Sequence, residues 1–250
     1  MSDDERPNRY GAVPDDPADF AVVGTDTGVG KTVVTAALVA RLREAGVDAR
    51  GIKPAQTGYP PDDDAGFVAD ACGSADDAGD GLGEASTCLE RLEPALAPEV
   101  AADIEGVDLS YDRIRDGCAA AIEEAEVGVV EGIGGLRVPL AEGHEVVDLV
   151  ADLGLSCLVV ARSGLGTLNH TALTVEALER RACPVHGVVL NEWAGETVAE
   201  RTNPDVIREM TGLPVWTVPP VAFESPAEAA AAVTAELPAA AVPRAGAHGE

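Results

Sequence analysis

Short apolar runs and longer amphipathic stretches alternate along most of this 250-residue chain. Phe20 to Gly24 (FAVVG) is apolar throughout and leads into a helical pattern from about Lys31 to Ala45. VDARGIKP then predicts a second strand ending near Lys53. Further strand-length runs are Val127 to Gly132, Ser156 to Arg162, Val185 to Asn191 and Leu213 to Pro219. Helical patterns separate them over roughly Tyr111 to Glu126, Glu145 to Leu153, Leu168 to Arg181 and Thr197 to Met210. Strands that are apolar at nearly every position belong in a sheet covered on both faces, and the intervening helices supply its right-handed crossovers. The pattern predicts one α/β domain built on a doubly wound, mainly parallel sheet. Ligands of such sheets bind at the carboxyl ends of the strands.

Two stretches break the alternation. Asp62 to Ser86 is acidic and glycine-rich, and reads as a solvated loop with a short helix at Ala65 to Ala71. From about Phe223 the chain is rich in alanine and proline, with one helix near Pro226 to Glu236 and a fraying end. The expected organisation is a flexible acidic N-terminus over 1–18, a domain over 19–222 and a partly disordered tail over 223–250.

Charge narrows the range of partners. Lys+Arg total 17 against Asp+Glu 44, a formal net charge of -27, and the only adjacent basic pair that stands out is Arg180-Arg181. Nucleic acids and anionic membranes need a basic stripe that releases counterions, so neither is an expected partner. An acidic, lysine-poor surface around an ordinary apolar share suits a high-salt cytoplasm, where self-repulsion is screened. Gains in stability in molar salt would test that. The five cysteines include no C-x-x-C pair, which points to reduced thiols rather than to a zinc site or a disulfide framework. The acidic first residues lack the apolar run of a signal peptide, and no apolar segment reaches membrane-span length, so a cytoplasmic protein is expected.

The chain has only two lysines, and both fall in glycine-flanked motifs. Lys31 lies in GTDTGVGKT, which fits G-x-x-x-x-G-K-[ST] through Gly24, Gly30, Lys31 and Thr32. The motif follows a buried strand and opens a helix. Its glycines let the backbone wrap close, its amides and the helix dipole face phosphates, Lys31 reaches the β/γ-phosphates and the Thr32 hydroxyl binds Mg²⁺. A glycine-rich turn with a solvated lysine is the bland alternative, and a chain that uses arginine nearly everywhere else argues against it. Glu131 ends the apolar run VGVVEG, where the acidic metal partner of P-loop enzymes sits. Asp64 supplies a second oxygen, or is one more acid in an acidic loop; spacing does not choose.

GTDTGVGKT, then IKPAQTG, VVEGIGG with VPL after it, LGTLNHTALT and VVLNEW, in this order, resemble the dethiobiotin synthetase family from about Phe20 to Pro220. The resemblance implies a P-loop fold, a homodimer with sites at the subunit interface, and ATP with Mg²⁺. It also implies a reaction: ATP-dependent carboxylation of 7,8-diaminononanoate with CO₂, phosphorylation of the carbamate to a carbamic-phosphoric anhydride, and closure to dethiobiotin with release of phosphate. By resemblance, Lys53, Lys31 and Thr27 are catalytic, with Lys53 stabilising the carbamate and the transferring phosphoryl charge. Thr27, Gly28, Val29, Gly30, Lys31 and Thr32 cradle ATP, while Asn191 reads the adenine edge near Pro219. Thr27 and Thr57 match residues at the substrate's amine end, and Gly134 matches a close backbone approach to it. Gly166, Thr167, Leu168 and Asn169 match the helix start that takes the substrate carboxylate from across the dimer, Asn169 equally serving as a cap. Thr32, Asp64 and Glu131 match the magnesium set. His170 reads as a core or surface histidine.

The chain departs from the family pattern in places. Glu99 stands where many members have a histidine after Pro-x-x-x-Pro, Gly28 stands where some carry an acid, and the acidic insert after Pro60 has no counterpart. Three other classes use similar loops. Partition and septum-positioning ATPases carry an early loop lysine where this chain has Asp26. Cobyrinate and cobyrate amidating synthases add a glutamine-hydrolysing domain. A non-catalytic nucleotide-binding relative would have no use for Lys53 and Thr57.

Overall fold

The computed structural model describes residues 14–73 and 84–244. Most of the N-terminal stretch, the centre of the acidic loop and the last six residues lie outside the described residues. Seven strands form one sheet: β1 (Phe20–Gly24), β2 (Ala49–Thr57), β3 (Ser86–Leu92), β4 (Val127–Glu131), β7 (Ser156–Arg162), β8 (Val185–Asn191) and β9 (Val215–Thr217). Their order is β3-β2-β4-β1-β7-β8-β9 and every pairing is parallel. From the centre at β1 the chain winds outward one way through β2 and β3, returns through β4, and winds out the other way through β7, β8 and β9. The doubly wound sheet read from the apolar runs is present.

Side-chain alternation along β1 divides the core. Phe20 and Val22 face one layer with Val34, Leu38 and Leu42; Ala21 and Val23 face the other with Ile114, Val147, Leu149 and Leu178. The first layer is covered by α1 (Lys31–Glu44), α2 (Asp64–Cys72) and α8 (Pro226–Glu236), the second by α4 (Tyr111–Glu123), α5 (Val146–Asp152), α6 (Thr167–Glu179) and α7 (Val198–Thr211), with α3 (Pro98–Glu105) packed by Ala101 and Ala102. Each fully buried Leu, Ile or Phe contributes roughly 1.5–3 kcal/mol. α1 lies under a helix as well as over the sheet, which is why it has almost no polar face.

Several elements differ from the sequence pattern. β2 runs four residues past Lys53 because β3, which the periodicity does not predict, pairs with it from Gly51 to Thr57. β3 carries charged residues and is only partly buried, as an edge strand allows. α3 and the hairpin of β5 (Pro139–Ala141) and β6 (His144–Glu145) are likewise absent from the pattern. Glu99, in the first turn of α3, accepts a hydrogen bond from the Gly143 amide at 2.8 Å and holds that hairpin's turn.

The segment read as a tail is packed. Ala229, Ala230, Val233, Leu237, Ala241 and Val242 are all buried, and Ala18 N–H donates to Pro243 O at 3.1 Å, tying both described ends together. Arg41 of α1 donates to the carbonyls of Thr234, Leu237 and Pro238. The core therefore extends past residue 222 to about residue 242.

α7 contains Pro204, which removes the bond that would satisfy the Glu200 carbonyl. Trp193 Nε1–H donates to that carbonyl at 2.7 Å, and a capping box between Thr197 and Glu200 fixes the helix start. Asn203 then donates from α7 to Ser163 O and Gly164 O, pinning the loop that leads into α6.

Candidate active site

At the carboxyl end of β1 the chain turns through 25–30 and enters α1. Gly30 has φ 97°, and a Cβ there would fall 2.0 Å from Asn191 Nδ2. Only glycine permits both the left-handed backbone and that approach. Asn191, at the end of β8, donates to Val29 O at 3.1 Å, so the second half of the sheet braces the loop from behind. Trp193 N–H donates to Val218 O, which places the Val218-Pro219 segment beside Asn191.

Lys31 is buried at the start of α1, and its Nζ donates to Asp26 O and Gly134 O, both at 3.0 Å. Burial, followed by the charge of Lys53, lowers its pKa to about 8, against the opposing pull of Glu131, Asp64 and Asp26. Gly134 also has a positive φ, 58°, and a Cβ there would strike Val138 Cγ2 at 2.9 Å and approach Thr27 Oγ1 to 3.3 Å. The backbone of 132–135 thus lies directly against the loop.

Lys53 projects from β2 into the same space and is 5% exposed. Its Nζ lies 2.8 Å from Glu131 Oε1, 2.5 Å from Asp64 Oδ2 and 3.5 Å from Gly132 O. Burial opposes its charge, but Glu131 and Asp64 outweigh that penalty and its pKa is raised. Asp64 answers in kind: partial burial disfavours its carboxylate, yet Lys53 outweighs this and lowers the pKa. Thr32 Oγ1–H donates to the same Glu131 oxygen at 2.9 Å.

Thr27, Gly28, Gly30, Lys31, Thr32, Lys53, Thr57, Asp64, Glu131 and Gly134 all line one cavity of about 960 Å³. The cavity has room for a nucleotide beside a small substrate. Lys31 and Lys53 share it, as the resemblance implies. Two residues that sequence reading did not single out also matter. Gln56, buried within IKPAQTG, accepts the Asp64 N–H at 3.0 Å and so fixes the acid at the head of α2. Arg162, at the end of β7, donates to Thr27 O at 3.0 Å and lies beside Gly28; ending an apolar strand at the ligand edge was its available signal.

Other predicted residues lie elsewhere. Val29 is buried behind the loop, while Asn191 and Pro219 flank it outside the cavity lining. Gly166, Thr167, Leu168 and Asn169 form the start of α6 and also lie outside that lining. Gly166 (φ 94°) is the N-cap, Thr167 is buried, and Leu165 just before them is 98% exposed. Asn169 makes no described capping bond; Gly166 occupies the cap instead. His170 is exposed on α6. All five cysteines are free thiols, three buried and two half-buried.

The donor set suits magnesium. Its oxygens are two carboxylates and a hydroxyl, which leaves coordination sites for phosphate and water, as Mg²⁺ prefers. Among the described residues no three His, Cys, Asp or Glu side chains form a ready-made cage. No helix among them is long and apolar enough to cross a membrane.

A parallel sheet with a glycine-wrapped loop, its lysine and an acid at the neighbouring strand end defines a nucleotide-binding fold of the P-loop NTPase type. Solved structures agree on the fold: a ParA family ATPase from Chlorobium tepidum TLS (TM-score 0.53, 16% identity, 82% of this chain and 85% of that one) and the septum site-determining protein MinD with Mg-ADP from Pyrococcus horikoshii OT3 (TM-score 0.51, 15% identity, 87% and 94%). The AAA domain family matches residues 19–222. Curated relatives are narrower in kind. ATP-dependent dethiobiotin synthetase BioD of Haloferax mediterranei is 63% identical over 220 residues, covering 88% of this chain and 91% of the relative. Those of Anaeromyxobacter sp. (strain K) and Aquifex aeolicus are 49% identical (70% and 77% covered) and 35% identical (79% and 87%). The chain belongs to the ATP-dependent dethiobiotin synthetase family.

Proposed function

We propose that this chain converts 7,8-diaminononanoate, CO₂ and ATP into dethiobiotin, ADP and phosphate. One observation carries the reading: both lysines open onto one cavity with Thr32, Asp64 and Glu131. One amine adds to CO₂ and loses a proton, giving a carbamate. A carbamate oxygen attacks the γ-phosphorus and ADP leaves. The second amine attacks the carbonyl carbon of the mixed anhydride, phosphate departs, and the ureido ring closes. Little covalent work falls to the protein, so its share is positioning and charge neutralisation.

In this reading Lys31 releases its two carbonyls to hold the γ-phosphate, and the amides of 27–32 cradle the phosphate chain. Lys53 stabilises the carbamate and the charge on the transferring phosphoryl group. Thr27 and Thr57 orient the amine end, with the 132–135 backbone close at Gly134. Thr32, Asp64 and Glu131 would hold Mg²⁺, which when bound neutralises charge on the phosphates. Asn191 reads the adenine edge beside Pro219.

The substrate carboxylate goes to Gly166, Thr167, Leu168 and Asn169 of a second subunit. Their position outside the cavity of their own chain and the exposed Leu165 support a homodimer whose site lies at the subunit interface. Asp26 at the place of an early loop lysine argues against a partition or septum-positioning switch. A cytoplasmic protein fits the acidic surface.

Incubating the protein with ATP, Mg²⁺, bicarbonate and the diamine tests the whole. Dethiobiotin and phosphate should appear in equal amounts. ATP hydrolysis indifferent to the diamine, or no turnover at all, would overturn the assignment.

A further inference from the structure

The oxygens assigned to magnesium already hold a cation of the protein's own. Lys53 Nζ sits 2.5 Å from Asp64 Oδ2 and 2.8 Å from Glu131 Oε1, and that second oxygen also accepts the Thr32 hydroxyl at 2.9 Å. The three side chains of the metal set thus converge on one ammonium and on the oxygen it touches. Lys31 differs, since the partners described for its Nζ are backbone carbonyls.

From this geometry we propose that Lys53 holds the place of the divalent cation in the nucleotide-free protein, and releases Asp64 and Glu131 when nucleotide brings the metal in. The proposal rests on Thr32, Asp64 and Glu131 being the metal set. Two neighbouring carboxylates, one of them almost fully buried, are costly without a counter-charge. A tethered ammonium supplies that charge from within the fold, without recruiting an ion from solution. Free Mg²⁺ meets a site already neutralised. Mg²⁺ arriving with a triphosphate brings anionic charge that can receive the displaced ammonium. Metal entry is thereby tied to nucleotide entry, and Lys53 moves toward the carbamate only once both are present.

Residue type matters here. A lysine stem is flexible and its head is a point charge, so it can change partners; the planar fork of arginine would chelate the carboxylates and stay. In a chain of net charge -27, free cations gather at the surface, and a self-filled site keeps them from occupying the catalytic carboxylates.

Mn²⁺ binding followed by electron paramagnetic resonance in roughly molar KCl, which screens the acidic surface, gives the test. Without nucleotide, Lys53→Met should bind Mn²⁺ about tenfold or more tightly than the wild type, and adding Asp64→Asn should abolish the gain. A second measurement needs no variant to decide it. With only two lysines, selective isotope labelling yields two side-chain signals. Mg²⁺ alone should leave the Lys53 signal in place, whereas Mg²⁺ with ADP should shift it. If Lys53→Met gains no Mn²⁺ affinity while Asp64→Asn and Glu131→Gln still strip Mn²⁺ from the ADP complex, the placeholder idea falls and the metal site stands. If those two variants leave the ADP complex unchanged, both fall. Should Lys53→Met fail to fold, a Lys53 signal unmoved by saturating Mg²⁺ and ADP overturns the proposal on the wild type alone.

Discussion

Arg41 and Lys53 are both buried cations, and the protein uses them in opposite ways. Arg41 lies in the last turn of α1, 3% exposed, and its guanidinium is spent on the Thr234, Leu237 and Pro238 carbonyls that end α8. Burial lowers its pKa. Its described partners are backbone atoms, which cannot move without unravelling the segment. Lys53 is equally buried but faces carboxylate side chains, and Asp64 and Glu131 keep its charge. Side-chain partners can be handed to a ligand. A static cation is best served by a rigid fork on carbonyls, and a working one by a flexible stem on exchangeable acids. That difference explains why a chain that otherwise relies on arginine has a lysine at position 53.

The contrast can be broken at either end. Lys53→Ala should lower turnover about 10³-fold or more, near 4 kcal/mol of transition-state stabilisation. Its circular dichroism should stay native in Mg²⁺, because metal then takes over the orphaned carboxylates; lost activity with unchanged turnover of bound substrate would contradict the assignment. Arg41→Ala should do the reverse. Leaving three carbonyls without their donor costs about 3 kcal/mol, read as a shift of the denaturation midpoint, while kcat and KM of the folded enzyme stay put. If its kcat fell with its stability, the two regions would not be separable.

Smaller substitutions sharpen the picture. Asn191→Ala removes a bond to the loop and the proposed adenine contact, so ADP should bind about tenfold more weakly by calorimetry, roughly 1.4 kcal/mol. Thr234→Val deletes the hydroxyl that donates to Ala37 O at 3.0 Å. It should cost about 1 kcal/mol of stability and leave ADP affinity unchanged.

Much of the fold was legible because its cause is local. β1, β4, β7 and β8 match their apolar runs, and α7 begins one residue from its expected start because Thr197 and Glu200 cap each other. β3 was not legible, since an edge strand buries too little to erase its charged residues. The 226–244 segment read as a tail because alanine is ambiguous: its small side chains suit a solvated helix and a tight helix-helix contact alike. Only α1, itself apolar where α8 lands, shows which applies.

The candidate site divides the same way. Loop glycines, Lys31 and Thr32 announce themselves, because phosphate binding by backbone amides demands a contiguous motif. Lys53 stood out by scarcity. By itself the sequence determined the alternation of the central strands and helices, the phosphate cradle and the resemblance that implies the family chemistry, all of which rest on short-range periodicity or contiguous motifs. Only the tertiary structure decided that Asp64 meets Lys53, that Gln56 holds it there, that Arg162 reaches Thr27, and that the last helix completes the core. Those outcomes depend on contacts such as Lys53 with Glu131, 78 residues apart, and Arg41 with Thr234, 193 apart. No local pattern encodes such pairs, because the energy that selects them exists only after the sheet has brought distant residues within bonding reach.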